Sequence, residues 1–345
     1  MKINSWKIIG LIGKLISSVP IILLIAGCGG KKAPLAVGLV FDVGGRGDKS
    51  FNDSAYRGLE KARKELGVSV DFIEPASVAD RSSALSMFAS GNYDLIIGVG
   101  VMFSDEINKV AESFPGKMFA CIDHSGIPVD RMPSNLKVVK FKEEEGSALA
   151  GALAGLSTKT GLVGFIGGMD IPLIRKFEEG FEFGVKYANP VCKVFSVYTG
   201  TTPAAFQNPE KGYELALAMY KKGADVIYHA AGATGLGVFE AAKKTKKLVI
   251  GVDSDQYMAG FVSEGVGSRT LTSMIKRVDN AIYDVIKNAS EGNFTGGAIE
   301  LGLKEGGVSY VLDANNIKKF DGRKIKIAEK LKEEIIAGKI IVPNK

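Results

Sequence analysis

At 345 residues, with 46% hydrophobic and 24% charged residues, the chain has the make-up of a globular protein of about two ordinary domains. The formal charge of +6 is well mixed, with no basic stripe and no aromatic-interleaved patch, so nucleic-acid binding is not indicated. Two histidines and no Cys-x-x-Cys pair argue against a zinc site, and 43 glycines suit a fold with many strand-to-helix turns.

The first 27 residues read as an export signal. Lys2, Lys7 and Lys14 precede an apolar run, Leu15 to Leu24, and small residues follow before Cys28. The run is short for a membrane span of about 20 residues. Ile25-Ala26-Gly27-Cys28 resembles a bacterial lipobox, in which the signal is removed and Cys28 carries lipid. Multiple acyl chains would hold the protein on a membrane, since one chain alone is marginal. Loss of the three signal lysines would lower the net charge accordingly. A short linker, residues 28–34, leads into the folded part.

Apolar runs at Leu35–Phe41, Val68–Ile73, Leu95–Val99, Met118–Ile122 and Leu136–Phe141 predict strands. Helical patterns lie between them, as at Ala55–Leu66 and Ser82–Ser90. Glu143–Leu156 is a small-residue helix able to pack closely. A second series follows, with strands at Leu162–Ile166, Lys193–Tyr198, Val226–Ala230 and Leu248–Val252. Its helices are expected at Pro172–Ala188, Pro209–Lys221 and Gly235–Lys243. Repeated strand–helix units imply α/β lobes with parallel, doubly wound sheets and right-handed crossovers. The last part is less regular: a helix at Val278–Ser290, Gly-rich segments at Ala298–Leu303 and Val308–Leu312, and an amphipathic helix at Arg323–Ile336. These pieces could return to the first lobe and cross back. Cys121 and Cys192 read as small buried hydrophobes, and a bridge between them is left open.

The segment Phe41 to Asp53, FDVGGRGDKSFND, is a Gly-rich loop at the end of the first strand, where open α/β sheets bind ligands. Phe51 is its odd member, because a loop seldom gains by exposing an aromatic ring; alternatively the ring tucks into the core. Asp42, Asp123 and Asp253 each follow a predicted strand. Singly each reads as a turn or cap. Together they favour a cleft built from both lobes. Phe51 and Phe206 offer aromatic faces from opposite lobes, and planar bases stack on such faces. Carboxylates can do acid/base work or accept charge-assisted hydrogen bonds. Lys276 could donate to a sugar hydroxyl or neutralise a carboxylate, or be a solvated lysine at a helix start. The cluster Gly232–Gly237 resembles a dinucleotide-binding motif but stands in the second lobe without a catalytic pair. Arg46-Gly47-Asp48 spells an adhesion tripeptide without supporting context. There is no phosphate-binding lysine motif, no GxSxG elbow and no convincing Ser-His-Asp set.

Three segments together resemble one known family. Asp42 with Gly47-Asp48-Lys49-Ser50-Phe51-Asn52, Ala231-Gly232-Ala233-Thr234-Gly235-Leu236-Gly237, and Gly251-Val252-Asp253-Ser254-Asp255-Gln256 look like the basic membrane protein family, lipid-anchored substrate-binding proteins of ABC transporters. The resemblance runs from Leu35 onward. It implies a type I periplasmic-binding-protein fold, two lobes joined by about three hinge strands. The lobes are then 35–145 plus about 275–305, and 146–274 plus about 306–345. It further implies purine nucleoside binding without a cofactor or catalysis. Phe51 and Phe206 would sandwich the base; Asp42 and Asn52 would read its polar edge, with Ser50 supporting the loop. Asp123 would be a further base or ribose contact. Asp253 and Lys276 would hold ribose hydroxyls, with Gly232 and Gly251 allowing close backbone approach. Implied partners are ABC permease and ATPase subunits, and a membrane reached through Cys28, with the monomer outside the cell or in the periplasm. Two other readings stay open: the same receptor with a sugar or other small polar ligand, and a nucleoside hydrolase or NAD-linked enzyme.

Overall fold

Long apolar runs, short Gly-containing turns and amphipathic helices alternate along the chain, and the elements follow from them. The computed structural model describes residues 33–344 apart from 43, 78 and 126–130. The export signal, Cys28 and most of the linker thus lie outside the described residues.

The first sheet begins with β1 (Ala36–Val40), followed by α1 (Phe51–Leu66), β2 (Ser69–Ile73), α2 (Asp80–Ser90) and β3 (Leu95–Val99). Then come α3 (Ser104–Ser113), β4 (Met118–Ile122) and β5 (Leu136–Phe141). The chain enters a second series at α4 (Glu143–Ser157). It continues through β6 (Leu162–Met169), α5 (Pro172–Ala188), β7 (Lys193–Gly200), α6 (Pro209–Lys221), β8 (Val226–Ala230), α7 (Gly235–Thr245) and β9 (Leu248–Asp253). A hairpin, β10 (Phe261–Ser263) and β11 (Gly267–Ser268), precedes β12 (Thr270–Lys276). Last are α8 (Val278–Ser290), β13 (Gly297–Leu301), β14 (Val308–Tyr310) and α9 (Gly322–Ile336).

Two six-stranded sheets result, ordered β2-β1-β3-β4-β5-β13 and β7-β6-β8-β9-β12-β14. The two orders are the same, each starting second-first-third-fourth. All pairings in the first are parallel; in the second only β14 runs antiparallel, to β12. Central strands such as β3, LIIGV, are buried along their whole length, because helices cover both faces of each sheet.

The chain passes between the sheets three times: from β5 into α4, from β12 into α8, and from β13 into β14. The helix α8 packs on α1 beside the first sheet, and α9 packs on α4 beside the second. In α4 and α5 the small residues let backbones touch. A Cβ on Gly151 would stand 2.1 Å from the Phe181 carbonyl oxygen, and one on Gly184 would stand 1.8 Å from that of Ala148. Larger residues there would force the two helices apart.

Three details differ from the sequence reading. Helix α1 starts at Phe51 instead of Ala55, so Phe51 is its first residue and not a loop residue. The start is early because Asp48 replaces the missing helical acceptors: its carboxylate takes the N–H groups of Ser50, Asn52 and Asp53 at 2.8, 2.9 and 3.1 Å. The helix α3 lies where the strand–helix alternation implies one, but no bounds for it were expected. No strand was expected at β12, whose alternation of Thr and Ser with Leu, Met and Ile hid a strand that is buried almost throughout. Lys276 therefore ends a strand and does not open a helix. Cys121 and Cys192 are buried and free.

Candidate functional site

Parallel strands point their carboxyl ends the same way, so the turns after them gather on one edge of each sheet. The two edges face each other across a cleft of about 760 Å³, open solvent included. The first sheet contributes Asp42 after β1, Asp48, Phe51 and Asn52 at the start of α1, Gly100 to Met102 after β3, and Asp123 after β4. The second contributes Phe206 from a 3₁₀ turn after β7, Ala230 to Ala233 after β8, Val252 and Asp253 at the end of β9, and Lys276 at the end of β12. Ile171, Leu173, Ile174 and Phe177, at and before the start of α5, add an apolar wall.

The loop before α1 is shaped by its own acids. Asp53 accepts from the backbone of Gly47 at 2.8 Å and of Lys49 at 3.0 Å, while Asp48 caps the helix. Burial pushes the Asp48 carboxyl up, against the three N–H groups that hold it down. The Asn52 side-chain oxygen accepts from the backbone of Asp42 at 3.3 Å, which fixes the orientation of its amide group. The Asp42 carboxylate lies against Gly100, where a Cβ would stand 2.2 Å from Oδ2. Asp42 and Asn52 thus form one oriented pair beside Phe51.

Lys276 organises the deep end. It is 1% exposed, and its ammonium lies 2.5 Å from Asp123 Oδ2 and 2.9 Å from Glu143 Oε1. The rings of Phe51, Phe141 and Phe177 stand around it at 5.1, 5.0 and 5.6 Å. Glu143 is also shared with Lys176, 3.1 Å from its other oxygen. Burial alone would lower the Lys276 pKa; Asp123, Glu143 and Asp253 together overcome it and hold the amine well above its usual value. Burial likewise pushes Asp123 up to about 6, in spite of Lys276, whose charge is divided with Glu143. Asp253 is pushed by burial to about 7, with Lys276 and the Ser50 hydroxyl pulling the other way. Both aspartates have left-handed backbones, with φ of 64° and 63°. Such geometry in non-glycine residues costs energy and concentrates where the surrounding structure imposes it.

Asp253 gives a pH test with a definite sign. Its folded pKa lies above the ordinary value near 3.9, so the folded chain holds this proton more tightly than the unfolded one. The stabilising contribution is complete below about pH 4 and is lost as pH rises through about 7, with a slope of at most about 1.4 kcal/mol per pH unit. His229, lowered by burial to about 4, acts in the opposite sense and is common to wild type and variant. The stability of wild type minus that of D253N, from urea titrations at pH 5 and pH 8, is therefore expected to be more favourable at pH 5. A difference independent of pH would remove the proton from Asp253.

Ser50 and Gly251 are placed away from the cleft surface. Ser50 is fully buried, and its hydroxyl donates a short hydrogen bond to Asp253 Oδ2. It belongs to a seam between the lobes. There Arg57 donates to the Ser254 hydroxyl at 2.7 Å, that hydroxyl to the Ser50 carbonyl at 3.2 Å, and Gln256 to the Lys49 carbonyl at 3.1 Å. A Cβ on Gly251 would stand 2.6 Å from the Ser273 hydroxyl and 2.8 Å from Gln256 Oε1. This glycine makes room for Gln256, whose Oε1 accepts from the Val252 backbone at 2.9 Å. Gly232 does face the cleft, at φ +54°, beside Phe206.

The remaining members of the predicted set, Asp42, Phe51, Asn52, Asp123, Phe206, Asp253 and Lys276, all line the one cleft. Sequence reading missed Glu143, the apolar wall around Ile174 and Phe177, and the turn at Val101–Phe103. Three successive glutamates ahead of a small-residue helix were a signal for Glu143, read only as a helix start. The apolar wall carried no signal beyond helical periodicity.

Two similar parallel sheets, three passages between them and a cleft at the carboxyl ends of their strands define a solute-binding protein of the type I fold. A solved ABC transporter solute-binding protein from Aeropyrum pernix K1 superposes with a TM-score of 0.79 at 33% identity, covering 90% of this chain and 94% of that one. The family model described as "ABC transporter substrate-binding protein PnrA-like" (Bmp) matches residues 35–345. The chain belongs to that family, the substrate-binding proteins of ABC transporters. An ABC transporter nucleoside-binding protein, BmpA, of Lactococcus lactis subsp. cremoris is 35% identical over 337 residues, 93% of this chain and 92% of its own. An uncharacterised lipoprotein of Pyrococcus abyssi is 38% identical over 321 residues, 86% of this chain and 75% of its own.

Proposed function

We propose that this substrate-binding protein takes purine nucleosides into its cleft and delivers them to an ABC permease. The observation that carries the reading is one cleft lined by Phe51 from the first sheet's side, Phe206 from the second's, and the carboxylates of Asp42, Asp123 and Asp253. A planar base fits aromatic faces supplied by both lobes. Asp42 and Asn52, a carboxylate beside an amide N–H₂, suit the mixed donor and acceptor edge of a purine. Asp253, Asp123 and Lys276 suit vicinal hydroxyls, which donate to carboxylates and accept from an ammonium. The name of the Lactococcus relative agrees with this choice.

A ligand that touches both lobes favours the closed arrangement by its differential contacts with open and closed states. Nothing in this proposal breaks a bond. Cys28 is proposed as the lipid-bearing residue that keeps the receptor at the membrane outside the cytoplasm. Isothermal titration with inosine, guanosine and adenosine is expected to give saturable one-to-one heats, and glucose and xylose to give none. Absence of heat and of any thermal shift with all three nucleosides would end the purine reading. Release of free base on incubation would replace a receptor by an enzyme.

A further inference from the structure

Phe206 is an aromatic wall only if its ring stays back from the cleft, and the structure shows what lets it do so. Its ring lies directly on Gly168 in β6. A Cβ on that glycine would stand 2.1 Å from Cε1, 2.4 Å from Cδ1 and 2.6 Å from Cζ of Phe206. Real side chains never approach so closely, so any residue other than glycine at 168 must displace the ring. Gly168 sits within a strand and has no positive φ, so its backbone accepts alanine without strain; the three nearest obstacles to a Cβ are all atoms of the Phe206 ring. The neighbouring Gly167 points to the opposite face, against Tyr198, as strand alternation requires.

The backbone that carries Phe206 is held on two sides. The carbonyl of Ala205 accepts from the Thr199 hydroxyl and from the Thr234 hydroxyl, each at 2.7 Å. Asn208 N–H donates to Thr234 Oγ1 at 2.7 Å, and a Cβ on Gly232 would stand 3.2 Å from the Phe206 carbonyl. These contacts resist a shift of the turn, so relief of a clash at 168 falls first to rotation of the ring, which borders the cleft.

We propose that Gly168 is a positioning residue that seats the Phe206 ring and thereby sets the width of the ligand slot. The proposal rests on the nucleoside reading for its ligand and on the packing alone for the seat. In titrations with inosine, G168A is expected to weaken binding about tenfold, the scale of a lost base–aromatic contact. F206A removes the ring that the new methyl group would strike. G168A added to F206A is therefore expected to change affinity by less than about twofold, a strong departure from additivity. Wild-type affinity in G168A, or an equal loss in both backgrounds, overturns the slot.

Thermal unfolding without nucleoside decides the seat independently. G168A is expected to lower Tm in the wild-type background and much less in F206A. Equal Tm losses in the two backgrounds overturn the seat, even if no nucleoside binds the wild type and the ligand reading has failed. A G168A chain that does not fold but is restored by F206A supports the seat, and one that F206A does not restore counts against it.

Discussion

Replacing Lys276 with methionine is expected to lower the stability of the ligand-free protein by about 3–5 kcal/mol, the range for removing one partner from a buried ion pair. The lysine is 1% exposed and faces two acids that are also buried, Asp123 at 4% and Glu143 at 0%. Methionine nearly matches the volume of the aliphatic stem, so packing loss is small and the effect reports the uncompensated acids. A second signature separates this cause from a cavity. Asp123 is already raised by burial to about 6 with the lysine present, and removing the cation raises it further. The acid can then neutralise itself at low pH. The deficit of K276M is accordingly expected to be smaller at pH 5 than at pH 8. Urea unfolding followed by circular dichroism at the two values measures it. A loss below about 1 kcal/mol at pH 8 would mean that the cluster contributes little net stability, as buried pairs sometimes do.

The second large effect concerns the ligand. Phe51→Ala is expected to weaken nucleoside binding roughly 5- to 150-fold, since base–aromatic stacking contributes about 1–3 kcal/mol per base. Phe51→Trp keeps an aromatic face and is expected to retain most of the affinity. Phe51 is only half-buried and packs on the rim of the core, so F51A is expected to leave the fold intact. Titration calorimetry on the three proteins provides the comparison. Equal affinities for inosine in wild type and F51A would take Phe51 out of the site.

Most of the architecture was legible because its causes are local. Continuous apolar runs of about five residues between Gly-rich turns read as buried parallel strands, and β1, β3, β4 and β5 fall where those runs lie. The strand β12 was not legible. Its Thr270, Thr272 and Ser273 are polar yet buried, because they satisfy hydrogen bonds to Gln256 and to the Val311 carbonyl, partners remote in sequence. The start of α1 was misread for a similar reason. Asp48 acts as a cap from outside the usual position, and only the folded loop shows which N–H groups it serves.

The site divides along the same line. Aspartates at strand ends, two phenylalanines in turns and a Gly-rich first loop are sequence features, and parallel topology alone brings strand ends to one edge. Their partners are another matter. Lys276 and Asp123 are 153 residues apart, and Ser50 and Asp253 are 203 apart. Whether Lys276 was a solvated lysine at a helix start or the buried counter-charge of two acids turned on the strand before it. Residue order and hydrophobic period determined two α/β lobes and the edge at which a ligand enters. Tertiary structure decided which acid meets which cation and which glycine carries an aromatic ring, because those contacts depend on sheets placed by chain crossings and not on neighbours in sequence.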